Sequence, residues 1–348
     1  MTTGFGIIGC GMIAKFHARA IAEIRGAKLV ACYNRTLDKA SSFASEFGCT
    51  AYDDLEAMLA RDDIHVVTIC TPSGAHLEPG VLAAKAGKHI LVEKPLEVTL
   101  KRCDALLSAC AKAGVRVGTI FPSRFHESSR LLKQAVDQGR FGRITLGDAY
   151  VKWFRTQQYY DSGAWRGTWK LDGGGALMNQ AIHSVDLLLW LMGDVAEVSA
   201  TVATLAHERI EVEDVATATI RFANGALGVI EATTAAFPGS LKKIEIAGTA
   251  GMATLEEESL IRWTFAKEKA RDKKLIESMQ NNTKTGGGAA DPSAIGHAAH
   301  RELFKDFLKA VESEEPSMVE GTEGRRSVEL ILAIYKAAKS GKRVTLPL

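Results

Sequence analysis

The first third of the chain alternates short apolar runs with stretches in which apolar residues recur at helical spacing. The apolar runs have the composition of buried parallel strands, which predicts strands at 5–8, 29–33, 66–70, 89–92 and 115–119. The stretches between and after them predict helices at 12–25, 36–47, 53–60, 75–86 and 99–113. Because such an alternation is typical of βαβ units, residues 1–121 are predicted to form an α/β domain with a parallel sheet.

After residue 121 the pattern changes to longer alternating segments, two of which are separated by Asn224-Gly225, the strongest short-range hairpin signal. Strands are predicted at 144–154, 215–223, 226–235, 242–247 and 252–256. Helices are predicted at 127–138, 173–192, 297–313 and 322–340, and a Gly-rich loop at 281–292. Residues 122–348 are therefore predicted to be an α+β domain with a large, mostly antiparallel open sheet.

The composition is that of a globular protein, and 348 residues are enough for about two domains. The net charge of +2 gives no electrostatic case for binding nucleic acid or an anionic membrane. No run approaches the roughly 20 apolar residues of a membrane helix. Since an open sheet face is costly to leave bare, we expect a homodimer or homotetramer.

The six cysteines all lie in the first third, and none has the C-x-x-C spacing of a zinc site. The positions of the cysteines therefore predict neither a metal site nor a disulfide framework. The N-terminal apolar run is accounted for as a strand and turn, and not as a secretion signal. Reduced thiols and the absence of an export signal predict a cytoplasmic protein.

A glycine motif, Gly9-Cys-Gly11-Met-Ile-Ala14, lies directly between the first strand and the first helix. In the dinucleotide fingerprint the first glycine permits a tight turn, the second lets the backbone approach the pyrophosphate, and the third position packs the helix on the sheet. A turn without a ligand is the alternative. The context favours a dinucleotide-binding Rossmann domain, with contacts from Gly9, Gly11, Met12 and Ile13.

The end of the second strand indicates which nicotinamide cofactor binds. This segment reads Tyr33-Asn34-Arg35-Thr36, without the carboxylate that accepts hydrogen bonds from the adenosine ribose. Arg35 is suited to pair with a 2′-phosphate, and Asn34 to bond a ribose hydroxyl. The sequence therefore predicts NADP or NAD, with NADP slightly favoured, although an arginine at a strand end is often only a surface residue.

Two further segments follow strands at the carboxyl edge, where open α/β sheets bind ligands. After the third strand, Thr71, Pro72 and His76 are predicted to contact the cofactor, and a proline turn that caps the next helix is the alternative. After the fourth strand comes Glu93-Lys94-Pro95. The Lys94 cation is suited to orient a hydroxyl and to stabilise negative charge on oxygen, whereas the alternative is a surface ion pair.

A Gly-rich turn at residues 173–175, predicted to be flexible, leads into a helix that carries Asn179, His183 and Asp186. These three are spaced i, i+4 and i+7 and are predicted to share one helix face. A histidine titrates near neutral pH, so His183 is suited to accept the proton of an alcohol as hydride leaves the same carbon. The alternative is a buried histidine that hydrogen-bonds Asp186.

One loop combines aromatic rings with a cation, namely Tyr159, Tyr160, Trp165 and Arg166. Apolar sugar faces and nicotinamide rings stack on aromatic side chains, so this mixture suits either ligand. Packing within the loop is the alternative. His297 and His300, which open a later helix, are further candidates.

These motifs resemble the Gfo/Idh/MocA oxidoreductases, the group of glucose-fructose oxidoreductase and inositol dehydrogenase. The resemblance rests on Gly9-x-Gly11-x-x-Ala14, Glu93-Lys94-Pro95, His183-x-x-Asp186 and the ending Glu320-Gly321…Arg325-Arg326…Ala333-Ile-Tyr335. It implies that Lys94 is the catalytic lysine and His183 the general base. It also implies substrate-binding residues Asn179, Asp186, Arg124 and Tyr160, and cofactor contacts from Glu93, Lys94, Trp165 and Arg166.

Two positions depart from the family pattern. Inositol dehydrogenase-like members usually carry aspartate where this protein has Asn179, and many members carry asparagine where it has Ser73. Asn179 cannot share a proton with the base, so inositol itself is less favoured. The Gly-rich stretch resembles the subgroup that oxidises pyranose hydroxyls, including nucleotide-sugar 3-dehydrogenases.

The expected function is that of an NAD(P)-dependent dehydrogenase that moves a hydride between a sugar or polyol hydroxyl and the nicotinamide. Two alternatives stay open at this point. One is a glycosidase or lyase in which bound NAD is transiently reduced, and the other is a cofactor-binding regulator without catalysis.

Overall fold

The computed structural model describes residues 2–270, 272–280, 296–313 and 315–348. The loop predicted at 281–292 lies outside these residues. The polypeptide folds into two compact units. Unit 1 comprises Met1–Pro122, Lys170–Gly173 and Gly296–Val328, and unit 2 comprises Ser123–Trp169, Gly174–Ile295 and Glu329–Leu348. The domain boundary predicted between residues 121 and 122 stays a prediction. The packing groups residues 296–328, which were predicted to belong to the second domain, with the first unit.

Unit 1 contains the parallel sheet, and its strand order is β3-β2-β1-β4-β5-β6. The strands are β1 Thr3–Ile8, β2 Ala27–Tyr33, β3 Thr50–Tyr52, β4 Val66–Ile69, β5 His89–Val92 and β6 Val117–Thr119. The helices are α1 Met12–Ala22, α2 Leu37–Phe47, α3 Leu55–Leu59, α4 Leu77–Lys85 and α5 Leu100–Ala113. This arrangement confirms the predicted Rossmann sheet.

Helix α10 (Ala298–Ser313) also belongs to unit 1 and packs on α1. Its Phe304 stacks on Phe5 of β1, with ring centroids 6.0 Å apart. Both phenylalanines are fully buried. This apolar contact is the physical reason why a segment predicted for the second domain packs with the first.

Unit 2 contains an eight-stranded sheet of order β13-β12-β11-β7-β10-β9-β8-β14. The strands are β7 Ile144–Lys152, β8 Val195–Ala203, β9 Val215–Phe222, β10 Leu227–Thr233, β11 Lys243–Gly248, β12 Gly251–Glu256, β13 Ser259–Phe265 and β14 Val344–Thr345. All pairings are antiparallel except β7 with β10. The Asn224-Gly225 hairpin between β9 and β10 and the predicted α+β domain are confirmed.

The helices of unit 2 include α6 Glu127–Asp137, α7 Gln157–Asp161, α8 Ile182–Met192 and α9 Asp272–Gln280. Helix α11 spans Gly321–Ser340. Almost every residue of α8 is buried, and the helix packs on β7 and β11. No helix among the described residues is long and apolar enough to cross a membrane.

One part of the sheet surface is apolar and exposed. Leu146 of β7 and Leu227 of β10 are register partners, and they are 40% and 48% exposed. Exposed apolar neighbours of this kind suit an interface with another protein. The homodimer or homotetramer stays a prediction.

The helix predicted at 173–192 differs from the structure at its beginning. Residues Ala176–Ala181 form a π-helical turn, and the α-helix begins only at Ile182. Because a π turn is wider than an α turn, the i, i+4 rule does not hold across it. Asn179 and His183 are half-buried, whereas Asp186 is fully buried. His183 and Asp186 lie three residues apart in α8 and therefore share a face of that helix. Asn179 precedes α8 in the π turn, and its place on the same face stays a prediction.

Candidate active site

The glycine turn after β1 has the geometry of a phosphate-binding turn. Gly9 has φ +96°, and a Cβ there would lie 2.9 Å from the carbonyl carbon and oxygen of Cys70. Gly11 is the N-cap of α1, no side chain bonds to this cap, and a Cβ on Gly11 would meet nothing within 4 Å. Met12 is exposed and Ile13 half-buried. The uncapped helix N-terminus and the open space at Gly11 fit a pyrophosphate.

At the end of β2, Asn34 and Arg35 lie at the carboxyl edge of the same sheet. The side-chain oxygen of Asn34 accepts a hydrogen bond from the main-chain N–H of Thr36 (3.0 Å). The Arg35 side chain is exposed. Asn34 thus shapes the turn, and the choice between NAD and NADP stays a prediction.

The loop after β4 is braced from within. His76 is fully buried, with Nδ1 2.9 Å from the carbonyl of Pro95 and Nε2 3.0 Å from the carbonyl of Thr71. The Thr71 hydroxyl donates to the carbonyl of Ala75 (2.9 Å). Pro72 is half-buried. This burial favours a role for His76 in holding the loop, and direct cofactor contacts by these residues stay predictions.

Glu93 and Lys94 follow β5 at the same edge. The Glu93 carboxylate is buried, and its Oε2 accepts the main-chain N–H of Lys94 (3.1 Å). Burial raises the pKa of Glu93, but the hydrogen bond from His17 and the charges of His17, His300 and Lys94 outweigh it and hold the pKa below its usual value. Lys94 is half-buried, and its bond to Pro95 is cis.

His17 is a residue that the sequence analysis missed. It is fully buried in α1, with Nε2 2.9 Å from Oε1 of Glu93 and Nδ1 2.8 Å from Oγ1 of Thr68. One ring nitrogen of His17, one ring nitrogen of His300 and one carboxylate oxygen of Glu93 all lie within 4.8 Å of one another. The sequence does contain a signal for His17: it is a polar residue at a position of the buried, otherwise apolar helix face formed by positions 14, 17, 18 and 21.

In unit 2, the predicted substrate ligands Arg124, Asp186 and Tyr160 lie in the interior. Arg124 binds Asp186 through both carboxylate oxygens, at 2.9 and 2.6 Å. The Tyr160 hydroxyl lies 2.8 Å from Oγ1 of Thr234. The three side chains are 2%, 0% and 5% exposed, and their contact with substrate stays a prediction. The buried ion pair holds α8 in place.

Glu213, also missed from the sequence, fixes the Gly-rich turn before the π turn. Its carboxylate accepts the main-chain N–H of Gly175 (2.9 Å) and of Leu177 (2.8 Å), and the hydroxyl of Tyr335 donates to it (2.9 Å). Burial raises the pKa of Glu213 to about 7, although these hydrogen bonds lower it. The glycine turn is buried, and its flexibility stays a prediction.

A polar and aromatic network lies beside Asn179. Gln180 donates to Oδ1 of Asn179 (3.0 Å) and to the hydroxyl of Tyr159 (2.9 Å), and it accepts a bond from the buried Arg155 (2.9 Å). The Arg166 guanidinium lies 4.1 Å from the Tyr159 ring centre. Tyr159, and not Tyr160, is thus the half-buried tyrosine of this loop.

Trp165 is half-buried, and its indole centre lies 4.6 Å from the guanidinium carbon of Arg166. The Arg166 guanidinium therefore contacts two aromatic rings, those of Tyr159 and Trp165. An arginine stacked in this way is pre-oriented for an anion or a planar ring.

Comparison with protein families matches both halves of the protein. Residues 3–121 match the oxidoreductase family model with an NAD-binding Rossmann fold. Residues 129–254 match the GFO/IDH/MocA C-terminal domain. The predicted nicotinamide cofactor and the predicted dehydrogenase class are confirmed by these matches together with the relatives below.

The myo-inositol 2-dehydrogenase of Thermotoga maritima is 28% identical, over 98% of this chain and 98% of its own length. The WlbA dehydrogenase of Bordetella pertussis, solved with NADH and UDP-GlcNAcA, is 34% identical with a TM-score of 0.88, covering 100% of both chains. A levoglucosan dehydrogenase solved with NADH and levoglucosan is 26% identical with a TM-score of 0.86, again over 100% of both chains. The protein belongs to the GFO/IDH/MocA family of NAD-binding oxidoreductases.

Proposed function

We propose that this protein oxidises a hydroxyl on the pyranose ring of a nucleotide-sugar, with Lys94 and His183 as catalytic residues. The observation that carries the proposal is the strand order β1-β4-β5. All three strands are parallel, so the Gly9–Gly11 turn, the Thr71 loop and Lys94 lie at one carboxyl edge. A cation at this edge is suited to act on a substrate oxygen beside a bound dinucleotide.

The chemistry assigns a separate task to each side chain. The substrate carbon loses a hydride, which carries away the electron pair of the C–H bond, and the hydroxyl proton passes to the imidazole of His183. The substrate hydroxyl thereby becomes a carbonyl. Lys94 stabilises the negative charge that develops on oxygen. Asn179 positions the hydroxyl through its amide and carries no proton away. A bound nicotinamide supplies the hydride acceptor.

The nucleotide-sugar class is favoured over a neutral polyol for two reasons. The full-length similarity to a dehydrogenase solved with UDP-GlcNAcA supports it. So does the Arg166 guanidinium, stacked on Tyr159 near Asn179, because a rigid guanidinium suits a carboxylate or diphosphate and a tyrosine face suits a sugar ring. Asn179, in place of the aspartate usual among inositol dehydrogenases, weighs against inositol.

The test is the absorbance of reduced nicotinamide in the presence of NAD or NADP and a panel of inositols, free hexoses, glycosides and UDP-sugars with and without a uronate carboxylate. We expect reduction with a UDP-sugar, most with the uronate. In Lys94→Ala and His183→Ala, turnover should fall by roughly three orders of magnitude while cofactor affinity changes little.

Each other outcome points to a different function. Release of a leaving group without net cofactor reduction would identify a transient-redox lyase or glycosidase. Reduction by inositols alone would overturn the nucleotide-sugar class, and normal turnover in both alanine variants would overturn the catalytic assignment. Cofactor binding with no reaction across the panel would favour a regulator.

A further inference from the structure

We propose that His17 is a positioning residue for the reaction, acting through Glu93 on Lys94. The inference rests on the proposed function, because it takes Lys94 to be catalytic. It adds His17, a residue of α1 whose ring nitrogens lie against Glu93, Thr68 and Cys70, and it gives this buried imidazole a task in the reaction.

The two oxygens of the Glu93 carboxylate have separate partners. Oε1 lies 2.9 Å from Nε2 of His17, and Oε2 accepts the main-chain N–H of Lys94 at 3.1 Å. Because each oxygen has its own hydrogen bond, the carboxylate cannot rotate without breaking at least one of them. The orientation of Glu93 therefore fixes the backbone from which the Lys94 side chain starts.

His17 is itself fixed at its second nitrogen. Nδ1 lies 2.8 Å from Oγ1 of Thr68 and 3.3 Å from Sγ of Cys70, at the end of β4. The ring of Phe304 packs edge-on against it at 5.2 Å. The imidazole, fully buried, thus joins α1, β4 and the residue after β5. Such outer partners orient a reacting group much as they orient the ligands of a metal.

The geometry also separates the two amide replacements of histidine. In glutamine the terminal amide nitrogen occupies about the place of Nε2, so His17→Gln keeps a donor toward Oε1 of Glu93. In asparagine the amide nitrogen occupies about the place of Nδ1. His17→Asn therefore keeps a hydrogen-bond partner for the Thr68 hydroxyl and loses the hydrogen bond to Glu93. Leucine fills a similar volume and keeps neither bond.

The experiment measures kcat and KM of the full-length protein for the wild type and the three His17 variants. We expect kcat of His17→Leu and His17→Asn to fall about tenfold to a hundredfold with the sugar KM little changed, because a misplaced reacting group costs rate. His17→Gln should recover most of the loss. His89→Gln is the control for the same substitution away from the site, since His89 begins β5 at the opposite edge of the sheet, where its Nδ1 accepts the main-chain N–H of Arg116 (3.1 Å).

The pH profile gives a readout that a purely structural role would not move. Burial raises the pKa of Glu93, and His17, His300 and Lys94 lower it, with the Cys70 thiol also close by. Without the His17 bond, Glu93 takes up a proton at higher pH, so activity of His17→Leu should fall on the acid side where the wild type is still active. The double variant His17→Leu/Glu93→Gln has no carboxyl to titrate and should lose this acid limb.

Thermal unfolding and binding of reduced cofactor, followed by fluorescence, check that each variant is folded. If His17→Leu does not fold, the comparison of the glutamine and asparagine variants still decides. Equal kcat in those two variants, or an unchanged acid limb in His17→Leu, overturns the role of His17. If instead the wild type reduces no cofactor, or Lys94→Ala keeps normal turnover, it is the proposed function that fails.

Discussion

The turn of Gly9 and Gly11 and the turn of Gly173–Gly175 both lead into helices, but their surroundings differ. A Cβ on Gly11 would meet nothing within 4 Å. A Cβ on Gly174 would lie 2.2 Å from the hydroxyl oxygen of Tyr335, and one on Gly175 would lie 1.7 Å from the carbonyl oxygen of Glu213. At Gly11 the first turn faces open space, whereas protein atoms fill the space beside the second turn.

This difference shows what each glycine contributes. In the first turn, the missing side chain leaves space for a ligand at an uncapped helix N-terminus. In the second turn, the missing side chains let Glu213 and Tyr335 approach the backbone and fix the π turn that carries Asn179. A glycine-rich sequence alone does not distinguish the two uses.

The largest effect is expected from Gly175→Ala. The added methyl group would overlap the main-chain carbonyl oxygen of Glu213. A main-chain atom is bonded into the chain on both sides, so it moves aside less easily than the end of a flexible side chain. We expect a loss of about 4 kcal/mol or more in the free energy of unfolding, or no folded protein, measured by thermal or denaturant unfolding. A melting temperature close to the wild type would contradict the close packing of this turn.

A smaller effect is expected from Glu213→Gln. Burial raises the pKa of Glu213 from 4.5 to about 7, so the folded protein holds the proton more tightly than the unfolded chain. The free energy of unfolding therefore falls as the pH rises from about 4 to about 8. At about 1.4 kcal/mol per pKa unit, the fall is roughly 3 kcal/mol. Glutamine cannot ionise, so the variant should lose this fall.

The measurement is the unfolding free energy of the wild type and Glu213→Gln at several pH values across this range. Glu211→Gln is the control, because Glu211 is an exposed carboxylate two residues away. The same decline with pH in the Glu213→Gln variant as in the wild type would exclude Glu213 as its source.

Local sequence was sufficient to predict the parallel sheet and the nucleotide turn. Five of the six strands of unit 1 are apolar runs, whereas the edge strand β3, Thr50-Ala-Tyr52, is not one and was not predicted. The context of Gly9 and Gly11 between β1 and α1 is readable from adjacent residues. The Asn224-Gly225 hairpin is local in the same way. The position of Lys94 after a strand and the spacing of His183 with Asn179 and Asp186 made both residues candidates, and the resemblance to a family named them catalytic lysine and general base.

Contacts between distant residues could not be predicted. His17 and Glu93 are 76 positions apart, Arg124 and Asp186 are 62 apart, and nothing in the local pattern pairs them. The π turn at 176–181 depends on main-chain bonds to Glu213 that a helical pattern does not reveal. Tertiary contacts of this kind override the local periodicity that predicted one continuous helix.

The smallest effect on folding, and the sharpest on binding, is expected from Gly11→Ala. Gly11 has φ −82°, which alanine adopts without strain, and its Cβ would meet no protein atom, so the unfolding free energy should change by about 0.5 kcal/mol or less. The same methyl group would occupy the space where the pyrophosphate approaches. Affinity for NADH, measured by fluorescence titration, should fall about tenfold, or about 1.4 kcal/mol.

Gly11→Ala and Gly175→Ala are the same chemical change at the start of two helical segments, and the two turns predict opposite results. The first variant should be folded with weakened cofactor binding, and the second should be unfolded or strongly destabilised. Unchanged NADH affinity in Gly11→Ala would mean that the open space at this turn is not where the cofactor lies. A large loss of stability in Gly11→Ala would mean that this turn, like the second, uses glycine for packing, since no ligand is needed to explain a clash within the protein.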